Sequence, residues 1–187
     1  LSLSGKLLAS FFQSITPRTA GYATINFGMV EPETNLITTL LMFIGASPSS
    51  TGGGIKTTTI ATVIFMLLFM IRTGNDPIIF NRRISRESMD KAVYIILIGV
   101  VVVSISTTLV LVAEPYSLHQ VLFEVVSAFG TVGLTTGITP MLTSFSKAVL
   151  IITMFIGRVG GLSLLLSLFR KYDTHNVQWP EENILIG

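Results

Sequence analysis

The chain has 187 residues, half of them apolar and only 12% charged, with a formal net charge of +2 and a mean hydropathy of +0.73. An ordinary soluble domain carries about 25% charged residues, so this composition points to a membrane protein. There is no cysteine, which excludes a disulfide framework and thiolate metal sites, and His119 and His175 lie too far apart in sequence to suggest a metal pair.

From the N-terminus, residues 3–15 read as a helix too short to span a bilayer, running straight into a polar Gly/Thr turn over 16–24. Leu1 follows no charged n-region or cleavage site, so the chain reads as an internal or C-terminal piece of a longer product. Residues 36–71 are apolar at both ends, with a Gly/Ser/Pro loop between them. The link 72–91 holds Arg72, Arg82, Arg83, Arg86 and Lys91 against three acids. Residues 92–113 carry no charge, long enough at ~1.5 Å per residue to cross a hydrocarbon core of ~30 Å. A second short helix, 117–129, runs into the turn 130–137, and an inner span over 146–169 contains Arg158 followed by Gly160 and Gly161. The tail 172–187 ends on "ILIG", which a free soluble end does not need; packing against a neighbouring protomer is expected. Both short helices read as re-entrant pore helices. The excess of basic residues puts the link 72–91 and the C-terminus on the cytoplasmic side, with "EPET" at 31–34 and Glu114 opposite.

An internal repeat organises these elements. Gly21 of "TPRTAGY" falls on Gly133 of "GTVGL" at an offset of 112, and the same offset lays "MFIG" at 42–45 on an identical "MFIG" at 154–157. The expected fold is an all-α integral membrane protein of tandem parallel repeats, each with a transmembrane helix, a re-entrant pore helix with its turn, and an inner helix. Residues 1–71 form the first copy, without its first transmembrane helix, and 92–171 the second.

Non-helical backbone at membrane depth is tolerated where it is buried in protein or lines a wet cavity. A pore helix ending in Gly/Thr-rich sequence offers successive carbonyls to such a cavity, and these can replace the hydration shell of an alkali cation. The expected ion ligands are the backbone carbonyls of Thr131, Val132, Gly133 and Leu134, with Thr19, Ala20, Gly21 and Tyr22 as counterparts. Glycine suits 21 and 133 because it tolerates unusual backbone angles and brings no Cβ near the ion.

The interrupted span suggests a gate. Gly45 lies about nine residues from Leu36, ~14 Å, near the bilayer midplane. There Ala46 and Ser47 precede Pro48, which lacks an N–H. Ser49, Ser50 and Thr51 can satisfy freed backbone groups, and Gly52, Gly53 and Gly54 relax side-chain constraint before Ile55 and Lys56. Such a loop can occlude a pore. "GGGIKT" is no phosphate cradle, since Ile55 stands where a Walker loop needs glycine and no strand precedes it. Lys56 reads as a snorkelling residue at the cytoplasmic mouth. Arg158 also reaches midplane depth, where it costs about 2.5–3.5 kcal/mol and needs a partner; at the repeat offset it matches Ala46, which suggests a bond to the loop carbonyls. Glu124, within a pore helix, needs a partner too, and Arg18 is a candidate.

"TPRTAGY", "GASPSSTGGGIKTTT", "SAFGTVGLTTG" and "FIGRVGGL", in this order, resemble the third and fourth repeats of the Trk/Ktr/HKT superfamily of potassium transporters. The ending "PEENILIG" is most similar to the membrane subunit of a bacterial Ktr uptake system. The resemblance implies a four-repeat, potassium-channel-like pore on one chain, a homodimer in the cell membrane above a cytoplasmic nucleotide-binding regulatory ring, and filter glycines at Gly21 and Gly133. It also implies a pore arginine at Arg158 beside the gate loop. Potassium is the expected ion, held at the filter only. Sodium is a candidate activating or coupling ion. No enzyme activity, covalent cofactor or nucleic-acid partner is expected. The competing readings are a secondary transporter, whose broken midplane helices bind a substrate, and a non-conducting scaffold or receptor.

Overall fold

A computed structural model describes residues 2–48, 50–73, 77–79 and 82–160. Six α-helices dominate: α1 (Leu3–Ile15), α2 (Pro32–Phe43), α3 (Thr57–Thr73), α4 (Arg86–Ala113), α5 (Leu118–Phe129) and α6 (Ser144–Val159). A two-residue antiparallel ladder, β1 (Ile78–Ile79) with β2 (Arg82–Arg83), lies in the basic link. The all-α character expected from the sequence holds.

Helix α4 has 28 residues and, among the described residues, is the one helix long and apolar enough to cross a membrane. It begins six residues before the charge-free run, because Ser85 caps Ser88 N–H and Glu87 stands in the first turn, bonded to Lys91 one turn on. Leu97, Val100, Val101, Ile105 and Val112 remain exposed on it, a surface suited to lipid rather than water. Its other face packs against α3, α5 and α6. Ser106 and Thr153 share a hydrogen bond of 2.8 Å across the α4–α6 contact; since Thr153 donates to Val149 O within its own helix, Ser106 supplies the proton between them.

Helix α5 is the centre. Val121 and every residue from Phe123 to Phe129 are buried, among α2, α4 and α6. Phe123 stacks at a tilt on Phe27 with ring centroids 5.3 Å apart, and Phe129 stacks on Phe43 at 5.9 Å. By contrast α1 buries none of its residues.

The chain from α2 to α3 is broken where Pro48 and the glycines predict. Phe43 ends α2, and Thr57 begins α3. Helix α6 ends at Val159, followed by Gly160 at φ 85°. Residues 161–169 of the expected inner span and the tail 172–187 lie outside the described residues. At the opposite end of α6, Glu114 joins two helices: beyond the end of α4, it accepts from the Thr143 N–H and hydroxyl, each at 2.7 Å, just where α6 starts. The Ser146 hydroxyl, with these Thr143 groups, holds the Glu114 carboxyl below its ordinary value.

Candidate functional site

After α5 the backbone folds back on the helix end. Thr131 N–H donates to Ala128 O at 3.0 Å and Val132 N–H to Ser127 O at 2.9 Å. In a trans peptide the carbonyl points opposite to the N–H, so the Gly130 and Thr131 carbonyls are turned away from the helix. The turn after α1 does the same: Ala20 and Gly21 N–H groups both donate to Thr16 O, at 3.2 and 3.3 Å, which turns the Thr19 and Ala20 carbonyls outward.

The two turns share an unusual backbone. Thr19 (φ 67°) and Thr131 (φ 53°) are the non-glycine residues at positive φ among the described residues, and each is followed two positions later by a positive-φ glycine, Gly21 (73°) and Gly133 (90°). A β-branched residue in this region costs of order 1–3 kcal/mol and persists only where the surroundings enforce it. Alternating the sign of φ curls the peptides so that polar groups of one kind converge on one side. One oxygen is engaged elsewhere, since Tyr22 O accepts from the Thr16 hydroxyl at 2.5 Å. The turns also stand side by side: a Cβ added to Gly21 would lie 2.1 Å from Val132 O, and the nearest atom to one on Gly133 is Gly21 Cα at 4.0 Å.

The loop between α2 and α3 packs against the threonine end of both turns. A Cβ on Gly52 would meet the Thr19 hydroxyl at 2.7 Å, and one on Gly53 would meet the Thr131 hydroxyl at the same distance. Gly53 N–H donates to that Thr131 hydroxyl at 2.9 Å. Gly45 accommodates the returning strand, with Gly53 O 2.3 Å from where its Cβ would sit. The loop's base is closed by Ile55 N–H to Phe43 O at 3.3 Å and Thr57 N–H to Ala46 O at 3.4 Å, with Ile55 buried. Its tip, including Ser47, Pro48, Ser50 and Thr51, is exposed. Ser49 lies outside the described residues.

Two cationic side chains hold the loop's carbonyls. Arg158 Nη1 donates to Thr51 O. Gly157, the residue before it, fixes this approach by lying so close to Phe129 O that no Cβ fits, while its own carbonyl accepts from Gly54 N–H at 3.3 Å. Lys56 Nζ donates to Gly52 O at 2.5 Å and to Ser50 O at 3.4 Å. Snorkelling is therefore not what places Lys56: the loop it terminates offers carbonyls within reach of its own ammonium. The expectation for Glu124 also changes. Its carboxylate is taken up by Thr135, Thr136 and Thr139, and Arg18 is exposed; uncharged donors close at hand leave no need for a cation.

The chain matches the TrkH family, described as cation transport protein, over residues 1–177. It is 38% identical over 187 residues to Ktr system potassium uptake protein B of Bacillus subtilis, covering all of this chain and 42% of that protein. It is 40% identical over 181 residues to Ktr system potassium uptake protein D of the same organism, covering 97% of this chain and 40% of the relative. Against potassium/sodium uptake protein NtpJ of Enterococcus hirae the identity is 37% over 191 residues, covering 97% of this chain and 42% of the relative. The chain thus spans about two-fifths of the length of these relatives. With a membrane-length apolar helix, two matched backbone turns and a family match over nearly its whole length, the chain belongs to the TrkH family of membrane cation transport proteins.

Proposed function

We propose that this chain forms two of the walls of a potassium-selective pore used for uptake across the cell membrane. Thr19–Gly21 and Thr131–Leu134 supply filter carbonyls, with Tyr22 O taken up by the Thr16 hydroxyl, and the loop 45–56, held by Arg158, is the gate. The observation that carries the reading is the pair of turns with positive φ at Thr19 and Gly21 and at Thr131 and Gly133, since a demand on carbonyl direction accounts for the same strained pattern appearing in both turns. The matching offset supports two parallel repeats, 1–71 and 92–171. The relatives point to the ion: potassium for the Ktr proteins, and potassium with sodium for NtpJ. Sodium accordingly enters as a second, activating or coupling ion.

The basic link and the C-terminus face the cytoplasm in this reading. The protein works as a homodimer with a cytoplasmic nucleotide-binding ring, which acts on the gate loop rather than on the filter. Replacing Gly133 by Ser in the full chain, reconstituted in liposomes, tests the filter. Weaker potassium uptake or greater sodium entry at normal protein level supports it. Unchanged ion preference and affinity overturn it.

A further inference from the structure

Glu124 sits in the middle of α5, 5% exposed, in the wall of a cleft of about 400 Å3 that Thr131, Gly133 and Leu134 also line. All the donors to its carboxylate come from residues 135–139, just after the carbonyls of 131–134. Oε1 accepts from the Thr135 hydroxyl at 2.7 Å, the Thr136 N–H at 2.8 Å and the Thr136 hydroxyl at 2.9 Å. Oε2 accepts from the Thr139 hydroxyl at 2.6 Å. Four donors from one segment thus converge on this carboxylate, three on Oε1 and one on Oε2. The side chain is arranged to hold residues 135–139 in place.

The first turn has no such anchor. At the repeat offset Phe12 occupies the place of Glu124 and cannot accept. There the Gln13 amide oxygen takes a single bond from the Thr24 hydroxyl at 3.2 Å, and bonds to an uncharged acceptor are about half as strong as those to a carboxylate. The segment that Glu124 holds also supports the other repeat, for a Cβ on Gly28 would lie 2.6 Å from Thr136 O.

We propose that Glu124 is a positioning residue for ion passage: by fixing residues 135–139 it fixes the exit of the second filter turn, and potassium affinity and preference over sodium depend on it. This rests on the filter reading of 131–134. The test is potassium uptake by the full chain in liposomes, over a range of potassium concentrations with sodium as competitor, for Glu124→Gln, Thr136→Val and Gly133→Ser. The glutamine keeps the size and one amide oxygen. Its apparent potassium affinity should fall about tenfold with reduced preference over sodium, while maximal flux stays within about twofold. Thr136→Val, which removes one hydroxyl donor and keeps the N–H, should move affinity the same way by a smaller factor. A purely structural role predicts less folded protein and lower maximal flux at unchanged affinity, and that result would overturn the proposal. If Gly133→Ser shifts ion preference and Glu124→Gln does not, the filter stands and the positioning role falls. If Gly133→Ser is also silent, the filter reading has failed and the proposal with it.

Discussion

Gly53 and Thr131, 78 positions apart in the chain, are joined by a 2.9 Å hydrogen bond from the glycine N–H to the threonine hydroxyl. The bond links the loop that interrupts one helix pair to the strained residue at the start of a turn in the other. Thr19 receives Gly52 in the same way by packing. Loop and turns therefore share one contact surface, and displacement of the loop must part it.

Thr131→Val keeps the shape and removes the acceptor, leaving Gly53 N–H unpaired at a cost of about 1–3 kcal/mol. The loop should be held less firmly, and potassium leak through liposomes carrying the full chain should rise. Thr131→Ser retains the hydroxyl and should stay near wild type. Equal leak from the two variants would show that the hydroxyl does not hold the loop.

Gly21 and Gly133, the glycines of the proposed filter, should not be equivalent. At Gly21 a Cβ would sit 2.1 Å from Val132 O, whereas at Gly133 the nearest atom is at 4.0 Å. Gly133→Ala should therefore lose only the left-handed backbone penalty, roughly 1–2 kcal/mol. Gly21→Ala adds a backbone clash and should lower the melting temperature of the purified protein further. Equal melting temperatures would mean that the two turns do not lie against each other.

Glu114 gives a pH dependence with a definite sign. Its folded-state value is lowered by the Ser146 hydroxyl and by the Thr143 N–H and hydroxyl, so the tie it makes between α4 and α6 is fully present above the ordinary carboxylate value. That contribution is lost as pH falls below about 4.5, through the folded value. Thermal melting of wild type and Glu114→Gln should differ at pH 7 and converge in acid. A gap that stays constant down to pH 3 would remove Glu114 from the account.

Much of this organisation is legible in the residues, and the misreadings share a cause. The charge-free run 92–113 marks α4, yet the helix starts at Arg86 because a serine cap and a first-turn acid lie among charges that hydropathy discounts. Pro48 and Gly52 to Gly54 mark the break between α2 and α3 in any reading of backbone freedom. Glu124 advertises the need for a partner but not its identity, since hydroxyls eleven to fifteen residues on carry no charge to search for. Lys56 is the same case from the other side: its acceptors are carbonyls, which every residue possesses, and only the folded loop brings two of them to one ammonium.

The proposed gate is tested most directly by potassium and sodium flux through the full chain in liposomes, without any cytoplasmic partner, for wild type and Arg158→Gln. The arginine donates to Thr51 O, and the charge-assisted bond is worth about 1.5–3 kcal/mol. Its loss should raise potassium flux with potassium still preferred over sodium, because the change frees the loop and leaves the filter turns as they are. Lys56→Met should act in the same direction, and the double variant should gain less than the sum because both residues hold one loop. Well-folded Arg158→Gln protein with wild-type or lower flux would contradict the account.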